Sequence, residues 1–411
     1  MLNSASHLLH KLSFPRPVRT LEDHTAADSK HAKLTTIANR PAKAPGFYRP
    51  ELDSLRFFAF FGVFITHTLP SVPEFYAVHH FPYLVGELLQ AISKAGAYGV
   101  DLFFLLSSYL ITELLLREKD STGQLDVMGF YKRRILRIWP LYFAFIGIGW
   151  ALTLVDKSQH LSASYVVAFL LLAGNWISAI YGHPYSVISP LWSVSIEEQF
   201  YLLWPLLVRK ARTSTLVTAA LMMLGASSIF RYLFLHAGWT DGLWKNTLTR
   251  LEPMALGILI AVGFRQQRFS QLSTLSRAFA LMTGSALWLL VAAFSNLNFS
   301  RLGTMLGYPL IAVGAAAILL WCVGNTASVL RSSTLIYMGK ISYGLYVFHM
   351  LGIRIGTVVL GRFTSRFSGF IAFWLFVLLS TIAMASISYF ALERPFLRVK
   401  TRYTHVPSRS D

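Results

Sequence analysis

Runs of about 17 to 25 predominantly apolar residues recur along most of this chain, each long enough to cross the roughly 30 Å hydrocarbon core of a bilayer as a helix. In lipid there is no water to satisfy peptide groups, so a spanning chain closes its hydrogen bonds within helices or within a closed barrel. A barrel would show short strands alternating apolar and polar residues, and that pattern is missing from the sequence. The sequence therefore predicts an all-α, polytopic transmembrane helical bundle. Only 14% of the 411 residues are charged, against about a quarter in soluble domains, and the mean hydropathy is +0.51.

Ten spans are expected, near residues 54–70, 97–116, 137–155, 191–208, 213–235, 247–264, 277–295, 303–323, 338–360 and 368–392. With the N-terminus inside, the inner tails and loops hold 27 Lys and Arg residues and the outer loops six. The positive-inside rule then predicts both termini in the cytoplasm of a cytoplasmic-membrane protein. Residues 164–180 are apolar enough to span, but counting them would put Arg209, Lys210 and Arg212 outside and invert every later loop. A re-entrant segment covered by other helices is expected there instead. Residues 1–49 read as a basic, disordered cytoplasmic tail, with eight basic and three acidic residues and no secretory signal. Residues 50–396 read as the membrane domain and 397–411 as a short basic tail.

The net charge of +18 does not indicate nucleic acid, because the excess is concentrated at helix ends on one side. One cysteine, Cys322 in an apolar run, excludes an internal disulfide framework and a Cys-rich metal site. His79 and His80 read as part of a solvated loop, and no metal is expected.

Ionisable groups inside apolar spans are costly and mark sites. The first span carries two, Arg56 and His67. Eleven steps of about 100° bring them to within about 20° of one face, roughly 16 Å apart along the axis. A snorkelling arginine and a packing histidine explain this helix equally well on its own. On the inner side lies Tyr131-Lys-Arg133-Arg134-Ile-Leu-Arg137-Ile-Trp-Pro140, with Arg133 and Arg137 four apart and so on one helical face. Such guanidinium groups suit a phosphate-rich cytosolic ligand, or else anionic headgroups. On the outer side His67, Asp101, Glu197, Glu198, Arg250 and Glu252 fall near helix ends at similar depth. From spacing alone His349 reads as a packing residue, and Glu393-Arg394-Pro395-Phe396 as a helix stop.

Taken in order, these segments resemble the acyltransferase 3 family of multi-pass membrane O-acyltransferases, from about Tyr48 to Phe396. The resemblance is carried by Arg-Pro-Glu-Leu-Asp-Ser-Leu-Arg56 with ten residues before His67, by Gly99-Val-Asp101-Leu-Phe-Phe, by the arginine run ending at Pro140, by Trp192-Ser-Val-Ser195-Ile-Glu197, and by the aromatic block ending at His349. Ser54 and Ser108 stand where glycine is usual, and Glu252 where aspartate is common. Some members carry a hydrolase-like domain after the last span, whereas here a short basic tail follows. The resemblance implies acyl-CoA, expected to be acetyl-CoA, as donor, held by Arg56, Arg133, Arg134 and Arg137. His67, whose imidazole ordinarily titrates at about pH 6.5, is expected to act as general base, oriented by Glu197 or Asp101. Arg250, Glu252, Trp192 and Ser195 are then expected to face the acceptor, a carbohydrate or lipid-linked sugar. The competing class is a transporter of a polar substrate, which would release no thiol from acyl-CoA. No nucleophile elbow, P-loop or dinucleotide fingerprint is present.

Overall fold

The computed structural model describes residues 47–269, 272–294, 300–363, 367–404 and 406. The expected N-terminal tail lies outside the described residues up to position 46, as do positions 405 and 407–411 of the C-terminal one. Among the described residues no strand forms beyond an isolated bridge between His160 and Tyr185.

The helices follow in order: α1 Pro50–Thr68, α2 Pro73–Val78, α3 Tyr83–Gly96, α4 Gly99–Thr122, α5 Val127–Val155, α6 Ala163–Leu170, α7 Gly174–Tyr181, α8 Trp192–Lys210, α9 Thr213–His236, α10 Glu252–Arg265, α11 Thr274–Phe294, α12 Arg301–Cys322, α13 Ser333–Lys340, α14 Ser342–Leu360, α15 Phe367–Ser388 and α16 Arg394–Lys400. Each expected span falls on one of them. Seven stretches are long and apolar enough to cross a membrane: Tyr83–Thr122, α5, α9, α11, α12, α14 and Phe367–Tyr403. The three spans outside that set are α1 and α8, which carry three or more charged residues each, and α10, whose 14 residues reach only about 21 Å. These three bear Arg56, Glu197 and Glu252.

Three local expectations change, and that for 164–180 gains detail. The segment at 164–180 is two helices of eight residues, α6 and α7, joined through Leu172 at φ 57°, and neither half crosses a bilayer alone. Its polar backbone is met by protein: Gln199 donates to the Leu172 carbonyl at 3.0 Å and Tyr142 to that of Phe169 at 2.9 Å. The arginine run sits inside α5, which starts early because Asp126 caps it by accepting from the Gly129 N–H at 2.8 Å. Arg117 and Lys119 likewise lie on α4, which runs to a left-handed Gly123 at φ 71°. Finally, Glu393–Phe396 does not stop the chain. A π-helical turn at Tyr389–Glu393 leads into α16, with Pro395 in its first turn, where a missing N–H costs nothing.

The first helix packs against α3, α4, α13 and α14. Its seam with α3 and α4 depends on small residues. Gly62 faces the Gly96 backbone and Gly99 faces the Ala59 carbonyl so closely that a Cβ at 96 or 99 would strike a carbonyl oxygen. Above this seam, buried Phe60, Phe64, Phe104 and Phe145 join the main apolar core. Gly99→Leu is expected to lower the thermal midpoint of the detergent-solubilised protein, an overpacking cost of about 1–3 kcal/mol. Gly225→Leu, where nothing lies within contact of the added group, serves as the control that stays near wild type.

Candidate active site

Helices α1, α4, α5, α8 and α14 surround a cavity of about 1140 Å³, including its open mouth. Arg49, Arg56, Arg134 and Arg137 line it, and Ser107, Glu197, Ser193 and Tyr346 supply much of its remaining polar wall. Helical spacing explains the grouping. Arg134 and Arg137 are three apart on α5, and Ser193 and Glu197 four apart on α8, so each pair shares a face. Arg56 donates to Asp53 Oδ1 at 2.8 Å, one turn back on α1. The Arg134 guanidinium lies over the rings of Phe130 and Tyr201, at 5.4 and 5.5 Å. Ser107 donates its hydroxyl hydrogen to Glu197 Oε1. The Ser193 and Tyr346 hydroxyls lie 2.7 Å apart, and Tyr346 donates to the Pro190 carbonyl at 3.0 Å.

A second polar group sits toward the other end of α1. His67 bonds the Val63 carbonyl through Nδ1 at 2.8 Å. A carbonyl only accepts, so Nδ1 carries the hydrogen and the neutral ring keeps its lone pair on Nε2. His349, fully buried, is held the same way by the Tyr346 carbonyl at 2.6 Å, and its Nε2 has no protein partner. The two rings are 5.0 Å apart, centre to centre. Both histidines are thus tautomerically fixed by their own helices and present Nε2 as an acceptor.

Several expected roles are redistributed. Neither Glu197 nor Asp101 orients His67, because the Val63 carbonyl does so, while Glu197 accepts from Ser107 in the arginine-lined cavity. Arg133 turns to Glu118 and to the Tyr403 carbonyl, both at 2.6 Å, and lines only an adjoining recess. The four-residue step predicted Arg133 with Arg137, but the cavity pairs Arg137 with Arg134. Trp192 packs edge-on to Phe104, and Ser195 is wholly buried. Two residues along a helix is about 200°, so Ser193 faces the cavity where Ser195 was expected.

Asp101, Arg250 and Glu252 lie in a buried ion-pair network with Arg231, away from the cavity. Arg250 meets Asp101 at 2.8 Å and stacks 3.8 Å over Trp244. Glu252 pairs with Arg231 and accepts from Ser227 at 2.5 Å. All four charged residues are at most 3% exposed, and their charges balance. Sequence reasoning missed Arg231 as a partner, and also Arg49, Ser107, Ser193, Tyr346 and the nearness of His349 to His67. Ser193 was legible four residues before Glu197, but Ser107 and the other cross-helix partners left no local signal.

Removing one partner of a buried pair leaves an uncompensated charge. Asp101→Asn is expected to cost about 3–5 kcal/mol and sharply reduce the yield of folded protein. Asp101→Asn with Arg250→Met should recover much of that yield, as read by size-exclusion chromatography in detergent. If Asp101→Asn gave wild-type yield and stability, the network would carry no structural weight.

A family model described as an acyltransferase domain matches residues 49–392. Among curated proteins, YrhL of Bacillus subtilis, whose name provisionally assigns it peptidoglycan O-acetyl transfer, is 28% identical over 373 residues, covering 85% of this chain and 55% of its own length. OatA of Staphylococcus aureus, named an O-acetyltransferase, is 27% identical over 383 residues, covering 85% of this chain and 57% of its own. The chain thus spans a little over half the length of these relatives. No solved structure matches it.

Proposed function

Because the chain belongs to the acyltransferase 3 family, we propose that it is an integral membrane O-acyltransferase that moves an acetyl group from cytosolic acetyl-CoA to a hydroxyl of a carbohydrate acceptor. The observation that carries this reading is the cavity that brings Arg49, Arg56, Arg134 and Arg137 together at one end and a polar wall of Ser107, Ser193, Glu197 and Tyr346 farther in. Guanidinium groups suit the donor's phosphates, which a positive-inside orientation puts on the cytoplasmic face of the cytoplasmic membrane. Both termini then lie in the cytoplasm.

The acylated arm runs from the arginines toward Ser193 and Tyr346. Tyr346 lines the cavity and His349 lies three residues on along α14, about 4.5 Å along the axis and outside the cavity wall, so the arm has to pass the Tyr346–Ser193 hydroxyl pair to reach the histidines. His67 Nε2 takes the proton of the acceptor hydroxyl as its oxygen attacks the thioester carbon. The C–S bond then breaks, and the departing thiolate receives the proton from the imidazolium. Val63 holds His67 in the tautomer this step needs. The fixed Nε2 of His349 supplies a second acceptor beside it, suited to another donor group on a hydroxyl-rich substrate. The name of the Bacillus relative makes cell-wall glycan the first acceptor to test.

Mass spectrometry of surface glycans and lipids from three strains tests the activity: one lacking the gene, one complemented with wild type, one with His67→Ala. An acyl mass increment is expected only with wild type. An equal increment with His67→Ala would remove His67 from the chemistry. In purified protein, Arg134→Gln is expected to raise the KM for acetyl-CoA about tenfold, one lost charge-assisted contact, while Arg133→Gln changes it little. Equal effects of the two substitutions would contradict the placing of Arg133 in the recess alone and of Arg134 in the main cavity as well.

A further inference from the structure

A second large cavity, about 1410 Å³ with its open mouth, lies against the first and shares Arg49 with it. Its described wall carries four guanidinium groups, Arg49, Arg117, Arg265 and Arg277, against the carboxylates of Glu113 and Asp120, and Glu51 behind the wall pairs with Arg49 at 3.5 Å, which leaves a surplus of one positive charge. The fold holds these arginines in place. Arg117 donates through Nε to Glu113 at 2.5 Å, Arg265 pairs with Asp120, and Arg277 donates to the Val323 carbonyl at 2.6 Å past the end of α12. Arg49 keeps a buried Nε with no hydrogen-bond partner. Two aromatic rings on the same wall, Phe264 and Phe269, lie 5.4 Å apart. The two cavities meet at α4, which lines both, and at Phe47–Arg49: this stretch lines the first cavity, and Arg117 of the second stacks 4.3 Å over Phe47.

A surplus of fixed guanidinium groups beside aromatic faces matches a ligand that joins phosphate to a planar base. With acyl-CoA as the donor proposed above, we infer that this second cavity binds the donor's 3′-phosphoadenosine end. The pyrophosphate then crosses at Arg49, and the acylated arm lies in the first cavity. An anionic lipid headgroup offers the same phosphate chemistry, so the test separates the two sources.

The probe is adenosine 3′,5′-bisphosphate, with binding measured by calorimetry on the full chain in nanodiscs of neutral lipid. Wild type is expected to bind it. Arg117→Gln with Arg265→Gln should weaken binding tenfold or more, through two lost charge-assisted contacts, while Arg134→Gln, in the first cavity, should leave it within about twofold, since it removes none of those contacts. Arg265→Lys keeps the charge beside Asp120 and should retain most of the affinity, which separates lost binding from misfolding. In turnover, the double substitution should raise the KM for acetyl-CoA and leave that for S-acetylpantetheine unchanged. No binding by wild type, or equal losses in Arg134→Gln and the double variant, would overturn the assignment. So would loss of binding when the nanodiscs are made with anionic lipid, because a headgroup would then hold the cavity. Bisphosphate binding needs no acyl transfer: if the probe binds through Arg117 and Arg265 while acetyl-CoA releases no thiol, the donor reading falls and the nucleotide site stands.

Discussion

Charge inside an apolar bundle is the constraint on which this architecture depends. An ion stripped of water is expensive, and the expense is tolerated where an opposite charge and hydrogen bonds replace the solvent. Asp101 with Arg250 and Glu252 with Arg231 meet that condition by pairing while buried, tying α4 and α9 to the short α10 and its preceding turn. Arg56, Arg134 and Arg137 meet it differently, around open space, where Asp53 and aromatic faces share the load with whatever enters. One set of ionisable groups builds the frame, and the other lines the cavity.

The division has a consequence for chemistry. The fully buried network balances its charges and keeps Arg250 Nε and Nη1 and Arg231 Nε without a hydrogen-bond partner, whereas the cavity sets its polar groups around open space. His349 is a wholly buried ring with one nitrogen committed to its own helix and the other without a protein partner beside His67. Buried acceptors in this state are uncommon because the missing bond costs about 1–3 kcal/mol. An ordered water or a ligand completes such a nitrogen.

Much of the fold was legible from local pattern. The spans follow from apolar runs whose backbone closes its bonds internally, and charge balance in later loops argued against counting 164–180 as a span, where two eight-residue helices form. The boundaries that moved did so for capping reasons that hydropathy does not register: Asp126 draws the start of α5 back over the arginine run, and Pro395 opens a helix instead of ending one. Within the site, the arginine set was largely legible, with Arg133 the exception because Glu118 on a neighbouring helix claims it.

By itself the sequence determined that this chain is a helical membrane bundle and which spans carry charge, because helix formation and burial in lipid depend on residues close together in the chain. It also held the motif order that marks the family. Tertiary structure alone decided which charges neutralise one another, that Ser193 faces the cavity in place of Ser195, that Glu197 serves the arginine cavity and not His67, and that His349 stands beside His67. Those outcomes depend on the rotation of each helix about its axis and on what its neighbour presents. A step of one residue turns a side chain by about 100°, and no single span encodes the face it will meet.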